Sequence, residues 1–377
     1  MVDGGVAIAS GRLVERLRQC GHSVIVLTAP PPDTRPHTAM PRDEPSDGLI
    51  ISYNLTTDPL QTPDQIEALY HWLNNRHHHQ PVDVILAYYA YPSGYLAVQL
   101  GKRLNLPVVC SCRGNDISKD VFVDPETLAV VLQESTRLIF VSASLLRMAD
   151  TLVPCRHKAT VVPNGVDCDL FTPSHKTIPL AGAPVIVGTS GLMRWKKGLD
   201  LFLPLVRQLC ANRNVYICVA GYPLDARAEQ QIAAFLKRYQ LCHRFMFLGP
   251  ICHQDMAVAL RHMDLYVSTS YQEGMPNGIL EAMACALPVV ATEADGIAQL
   301  VEEGATGHLC ATGDLWALVS RCHALIDCPV LRARFGQSGR QRVLRYFNAN
   351  REAGEVLAVL HRAIDLSCSR ALSIKIA

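Results

Sequence analysis

Short β-branched runs alternate along this chain with longer stretches whose apolar residues recur every three or four positions. That alternation is the mark of βα units wound around parallel sheets. In the first half it predicts strands at SVIVLT (23 to 28), LIISY (49 to 53), VDVILAYY (82 to 89), PVVCSC (107 to 112) and RLIFVS (137 to 142). A first helix runs from about Ala7 to Cys20 and ends at Gly21, a residue able to adopt the left-handed cap conformation. Only Met1 to Asp3 precede Gly4 and Gly5, so the strand that should feed this helix is missing. The expectation is either a native start further upstream or a first domain that is crippled while the second stays intact.

From 160 to 184 the pattern breaks at Pro163, Asn164, Gly165, Pro173, Pro179, Gly182 and Pro184, which reads as a domain boundary. Strands then resume at PVIVGTSG (184 to 191), VYICVAG (215 to 221), RFMFLG (244 to 249), DLYVSTS (264 to 270) and PVVAT (288 to 292). A helical pattern extends from about 329 to 366, and the last eleven residues carry no readable structure. The fold expected is α/β with two doubly wound domains, over 1–170 and 171–350. A C-terminal helix and tail, 351–377, would be free to pack back on the first domain.

Composition narrows the classes. At 377 residues the chain exceeds one ordinary core, since a domain holds roughly 150 residues. A net charge of +1, from 35 basic and 34 acidic residues, argues against a protein that wraps nucleic acid. Fourteen cysteines are scattered without paired metal spacing and without a signal peptide, which favours reduced thiols in a cytoplasmic protein. Cys110 and Cys112 share a strand face and read as small core residues rather than a redox or metal pair. His77, His78 and His79, before Pro81, read as a solvated loop at a helix end. No apolar run approaches the ~18 residues of a membrane span, while peripheral contact with the cytoplasmic face of a membrane stays open.

The chemistry concentrates at two strand ends, where ligands of open α/β sheets bind. EGMPNGILE, 273 to 281, comes after the strand DLYVSTS and leads into a helix, with Pro276 suited to its first position. A helix starting there aims its free N–H groups at an anion, most plainly a phosphate, and Gly274 and Gly278 let a ligand approach the backbone. Glu281 could accept hydrogen bonds from a ribose diol and Glu273 from a second polyhydroxylated group beyond the phosphates. Together they describe a nucleotide sugar. A glutamate in a first turn is also favoured by the helix dipole alone, so spacing by itself does not decide.

The second place is SGLMRWKKGLD, 190 to 200, after the first strand of the second domain. Arg194, Lys196 and Lys197 could neutralise a diphosphate there, or form an ordinary solvated face. In CRGND, 112 to 116, Arg113 and Asp116 could face the same cleft or pair with each other.

These segments resemble the retaining glycosyltransferases of family 4, which have the GT-B architecture of two Rossmann-like domains facing across a cleft. The resemblance rests on YQEGMPNGILEAMACALPVVAT (271 to 292), VVPNGVDCDLF (161 to 171), GLMRWKKG (191 to 198), GGVAIASGRLVERLRQCGHSVIVLT (4 to 28) and GQSGRQRVLRYFNANREAGEVLAVLHRAI (336 to 364). It implies that Glu273 binds hydroxyls of the donor sugar and Glu281 the ribose. The backbone of Gly274, Met275, Pro276, Asn277, Gly278, Ile279 and Leu280 would hold sugar and diphosphate, and Arg194 and Lys197 would neutralise the leaving group. Gly4, Gly5 and Arg113 would lie on the acceptor side or at the diphosphate.

The family pattern has an arginine directly after Gly191, where Leu192 stands, and a histidine near Arg113. The activity implied is transfer of a hexose from a nucleotide diphosphate sugar to a saccharide, lipid-linked or other hydroxyl acceptor with retention of configuration, without a metal or other cofactor. A catalytically impaired protein that binds carbohydrate or nucleotide sugar is the alternative. A dinucleotide oxidoreductase would want G-x-G-x-x-G, and GTSGLM lacks that spacing.

Overall fold

A computed structural model of the chain describes residues 5–28, 50–52, 62–173 and 183–374. Its contacts divide into two compact units, one of residues 9–162 and 352–377, the other of 1–8 and 163–351. Each is an α/β unit with parallel strands, as the alternation predicts.

In the first unit β1 (Val26–Thr28) pairs with β2 (Ile50–Ser52), and β3 (Ile85–Tyr88), β4 (Val108–Cys112), β5 (Arg137–Phe140) and β6 (Ala159–Val161) form a four-stranded sheet. Among the described residues no strand joins the two sheets. The strand expected ahead of the first helix, and Gly4 with it, fall outside those residues. That helix spans Gly5–Gln19, so Gly5 is its first residue, and Gly21 beyond it has φ +86° as its cap role requires. Leu13 and Leu17 of this helix, Val109 of β4, Ile139 of β5 and Val356, Val359 and Leu360 of the helix Ala349–Ile374 share one core. Cys110 and Cys112 are fully buried, and the Cys110 hydrogen bond together with burial pushes the Cys112 thiol well up.

The second unit carries β7 (Val185–Met193), β8 (Val215–Pro223), β9 (Phe245–Phe247), β10 (Leu265–Ser268), β11 (Val289–Thr292) and β12 (Gly307–Cys310). They hydrogen-bond in the order β12-β11-β10-β7-β8-β9, all parallel. Renumbered from its own first strand this is the doubly wound order, which reverses direction between β7 and β10. The helices that cover it start at chemically legible caps: Asp225 accepts Ala228 N–H at 2.8 Å and Asp314 accepts Ala317 N–H at 2.9 Å. Amphipathic helices Leu199–Cys210 and Leu315–Asp327 bury Leu205, Val206, Leu209, Leu318, Cys322 and Leu325 against the sheet.

Four expectations need correction. His77, His78 and His79 are not a loop: they form the last turn of the helix Thr62–His79, where His77 Nδ1 accepts Val82 N–H at 2.9 Å and ties down the chain just beyond the helix. Helix continues past 366 to Ile374. Strands β6 and β12 stand at sheet edges and lack a long β-branched run, β6 holding only Thr160 and Val161 and β12 (GHLC) none, so periodicity alone does not reveal them. β7 and β8 also run two residues past their expected ends, paired through Leu192↔Tyr222 and Met193↔Pro223. Gly221 allows this, since a Cβ there would stand 2.0 Å from Gly191 O.

Candidate active site

Apart from Arg113 and its neighbours, the candidate residues belong to the second unit. The loops that leave β7 and β10 lie side by side at the point where the strand order reverses, because β7 and β10 are hydrogen-bonded neighbours. Arg194 comes directly after β7 in extended conformation, a single 3-10 turn spans Trp195–Lys197, and Gly198 (φ +69°) turns the chain into the next helix. A side chain at Gly198 would place Cβ 1.9 Å from Thr269 O, so the basic loop can close on the β10 loop only with glycine there. Thr269 Oγ1 donates to Lys197 O (2.9 Å), and Tyr271 N–H donates to Lys196 O (3.0 Å). Trp195 stacks on Tyr271 with centroids 5.2 Å apart, and Tyr271 O–H donates to Asp200 Oδ2 at 2.8 Å.

This junction brings Lys197 and Glu273 together as an ion pair through Lys197 Nζ and Glu273 Oε1. Ser270 Oγ donates to the same oxygen at 3.1 Å, and Asp295 Oδ2 accepts Glu273 N–H at 3.2 Å. Burial alone would raise the Glu273 carboxyl. The charge and hydrogen bond of Lys197, with Lys196 and Ser270, more than offset it and hold the group below the usual carboxylate range. The Lys196 ammonium is held low by burial, with Arg194 and Lys197 acting in the same sense and Glu273 against. Among the described residues the buried Arg194 Nε has no hydrogen-bond partner. A buried guanidinium N–H with no acceptor is costly unless a ligand supplies one.

The helix after the β10 loop spans Asn277–Ala284, with Pro276 as its N-cap rather than its first residue. Proline has no side-chain oxygen to cap the first turn, and among the described residues no side-chain cap hydrogen bond forms at this dipole end. Gly274 and Met275 lead into it. Asn164 Nδ2 donates to Met275 O and to Asn277 Oδ1, each at 3.0 Å, and fixes the loop from the side. Gly278 has a different reason from close ligand approach: a Cβ there would meet Ser190 Oγ and Tyr266 OH, each at 2.5 Å, two groups already bonded to each other at 2.7 Å. Ile279 and Leu280 are buried and anchor the helix, and Glu281, in its second turn, is 6% exposed. Glu281 Oε1 lies 3.2 Å from His253 Nε2.

Arg113 lies in the first unit, and its guanidinium is neither open nor paired with Asp116. It sits over the Tyr88 ring at 4.2 Å and faces Glu352 Oε1 at 3.8 Å, while Arg12 pairs with Glu352 Oε2 at 2.9 Å. Burial pushes the Tyr88 hydroxyl up to about 12, with Arg113 acting against it. Asp116 instead accepts the backbone N–H groups of Ala90, Arg113 and Gly114. The arginine is long enough to reach the C-terminal helix, and the loop backbone satisfies Asp116 first.

Residues 183–328 match the model of glycosyl transferases group 1, and residues 3–170 match that of Glycosyltransferase Family 4. The chain belongs to a glycosyltransferase family. Among relatives of this glycosyltransferase, the lipopolysaccharide core biosynthesis mannosyltransferase LpcC of Rhizobium leguminosarum bv. viciae is 29% identical over 266 residues, 62% of this chain and 74% of that one. The N-acetyl-alpha-D-glucosaminyl L-malate synthase of Bacillus anthracis is 24% identical over 92% of this chain and 91% of its own. Among solved structures, sucrose-phosphate synthase (tll1590) from Thermosynechococcus elongatus superposes with TM-score 0.79 at 20% identity, over 96% of this chain and 94% of that one. Alr3699/HepE of Anabaena, solved in complex with UDP and glucose, gives 0.71 at 20% identity over 83% and 85%. The fold of the glycosyltransferase is GT-B.

Three residues of this site were not singled out from sequence: His253, Ser270 and Asp295. Ser270 and Asp295 lie just past β10 and β11, and His253 just past the loop after β9, so a survey of every strand end for polar side chains would have found them. Among the described residues no three His, Cys, Asp or Glu side chains cluster so as to hold a metal ion, and no helix is long and apolar enough to cross a membrane.

Proposed function

We propose that this glycosyltransferase moves a hexose from a nucleotide diphosphate sugar to a hydroxyl of a saccharide, lipid-linked or other acceptor, with retention of anomeric configuration, as the family 4 resemblance implies. The observation that carries the reading is the junction at the strand reversal: an Arg194 Nε without a partner among the described residues, the Lys197–Glu273 pair and a helix N-terminus without a side-chain cap converge there. The names of the relatives, a mannosyltransferase and an N-acetyl-alpha-D-glucosaminyl L-malate synthase among them, and the UDP complex of HepE support a nucleotide-sugar donor.

In this reading the diphosphate takes Arg194, Lys197 and the amides at Gly278 and Ile279. Lys197, held by Glu273 before the donor arrives, then also faces the charge that grows on the leaving oxygen. Electrostatic stabilisation of this kind is the protein's main contribution. Glu273, kept ionised, accepts hydrogen bonds from sugar hydroxyls, and Glu281 accepts them from the ribose. The departing phosphate oxygen assists deprotonation of the acceptor on the same face of the sugar. Arg194, Lys197 and the helix end supply the positive charge, so no divalent metal is required.

The test is incubation of the full chain with UDP-, GDP- and ADP-sugars, with and without EDTA, monitoring release of sugar to water by proton NMR. One donor should be turned over in EDTA, and the first-formed sugar should carry the donor's anomeric configuration. Arg194→Ala and Lys197→Ala should each slow release by about 10² to 10³. Inverted product, or activity lost to EDTA and restored by Mg²⁺, would contradict the mechanism; turnover of none of the donors would favour the binding-only alternative.

A further inference from the structure

Glu281 is nearly buried on the second turn of its helix, and an ionised carboxylate has about four lone-pair sites to satisfy. Among the described residues its hydrogen-bond partner is His253, through Nε2 and Oε1 at 3.2 Å. Because a carboxylate only accepts, Nε2 carries the proton. One donor leaves such a group far from satisfied, and its place beyond the strand ends is where a ligand would bring more.

His253 is itself well fixed. It opens the helix His253–Arg261 behind the extended residue Cys252, and its ring meets Phe171 edge-on, with centroids 5.1 Å apart at 62°. Phe171 is fully buried, and its stretch of chain is pinned by its carbonyls: Arg340 donates to Phe171 O at 2.8 Å, and Arg261 to Leu170 O at 2.8 Å and Thr172 O at 3.1 Å. The imidazole therefore rests against a fixed ring on one side while its Nε2 meets Glu281. A donor fixed in this way sets the plane of the carboxylate before any ligand arrives, which lowers the entropic cost of binding.

We propose that His253 is a positioning residue for donor binding: by engaging Glu281 Oε1 it orients the carboxylate to accept the vicinal diol of the donor's ribose. The proposal rests on the reading of Glu281 as the ribose ligand.

Calorimetric titration of the full chain with UDP, GDP and ADP, and with the 2′,3′-dideoxy form of the nucleotide that binds best, tests the two roles separately. His253→Phe keeps an aromatic ring on Phe171 and removes the N–H. It should weaken the ribonucleotide roughly tenfold, the loss expected of one hydrogen bond to a charged group. His253→Gln, whose amide can reach the same oxygen, should recover most of that loss. Neither variant should change affinity for the dideoxy nucleotide; the ligand-free melting temperature of His253→Phe should fall, because a nearly buried carboxylate loses its donor, and that of His253→Gln should fall less. In a Glu281→Ala background, His253→Phe should have no further effect. Should His253→Phe fail to fold, His253→Asn, too short to reach Glu281, replaces it in the same comparison. If Glu281→Ala weakens ribonucleotide binding while the His253 variants do not, or if they weaken the dideoxy form equally, the positioning role is wrong and the function stands. If Glu281→Ala itself changes nothing, or no nucleotide binds, the ribose reading fails and takes this proposal with it.

Discussion

Glu273 shows how one side chain is set by opposed forces. Burial disfavours its charge, yet Lys197, Lys196 and Ser270 together leave its pKa below the ordinary carboxylate value. A carboxylate with a depressed folded pKa contributes stability that is present above the unfolded value, about 4.3, and that is lost as pH falls through the lowered folded value. Replacing Glu273 with Gln should therefore lower the melting temperature at pH 7, where the ion pair is intact. The two melting curves should draw together well below pH 4, where the wild-type carboxyl is protonated too. Calorimetric melts of both proteins at pH 7 and near pH 3 decide it. An equal difference at both pH values would mean that shape and hydrogen bonding, not charge, hold this loop.

The helix Asn277–Ala284 carries a conflict between propensity and packing. By propensity alone, Ala at 278 is better than Gly by about 1 kcal/mol. In place, its Cβ would fall 2.5 Å from both Ser190 Oγ and Tyr266 OH, neither of which can withdraw without breaking their mutual bond. Overpacking of this kind costs about 1 to 3 kcal/mol, so Gly278→Ala should lower the melting temperature by several degrees and weaken nucleotide binding by tilting the helix start. A higher melting temperature would show that propensity wins.

The same helix marks the limit of what the chain alone reveals. Its existence was legible, because a strand, a Gly-Pro-Asn-Gly turn and an apolar run fix its place. That Pro276 stands at the N-cap position rather than in the first turn, and that Gly278 answers to Tyr266, was not, since Tyr266 lies on a strand twelve residues earlier whose inward face only the fold defines. Central strands were readable from their β-branched runs, whereas β6 and β12, three and four residues long at sheet edges, were not. The His253–Glu281 contact joins positions 28 apart and leaves no periodic trace.

At the scale of the whole chain, the first and last segments of the second unit run beside each other. Val166 pairs with Asn348, Arg351 donates to Pro163 O at 2.7 Å, and a Cβ at Gly165 would stand 2.7 Å from Asn348 O. Directly after this return the C-terminal helix places Glu352 in the first unit, 2% exposed, between Arg12 of the first helix and Arg113 at the end of β4. Removing one member of a buried ionic group leaves the rest uncompensated and costs about 3 to 5 kcal/mol. Glu352→Ala takes the shared carboxylate from two guanidinium groups, and the loss should fall on the first unit alone. Hydrogen exchange read by mass spectrometry should show faster exchange in Gly5–Gln19, β4 and Ala349–Ile374. The helix Asn277–Ala284, in the other unit, should keep wild-type protection, and nucleotide affinity should be unchanged. Glu352→Gln, which can still accept from Arg12, should show the same pattern more weakly. Uniformly faster exchange in both units would show that the two fold as one cooperative body and that this ionic group is not local to the first.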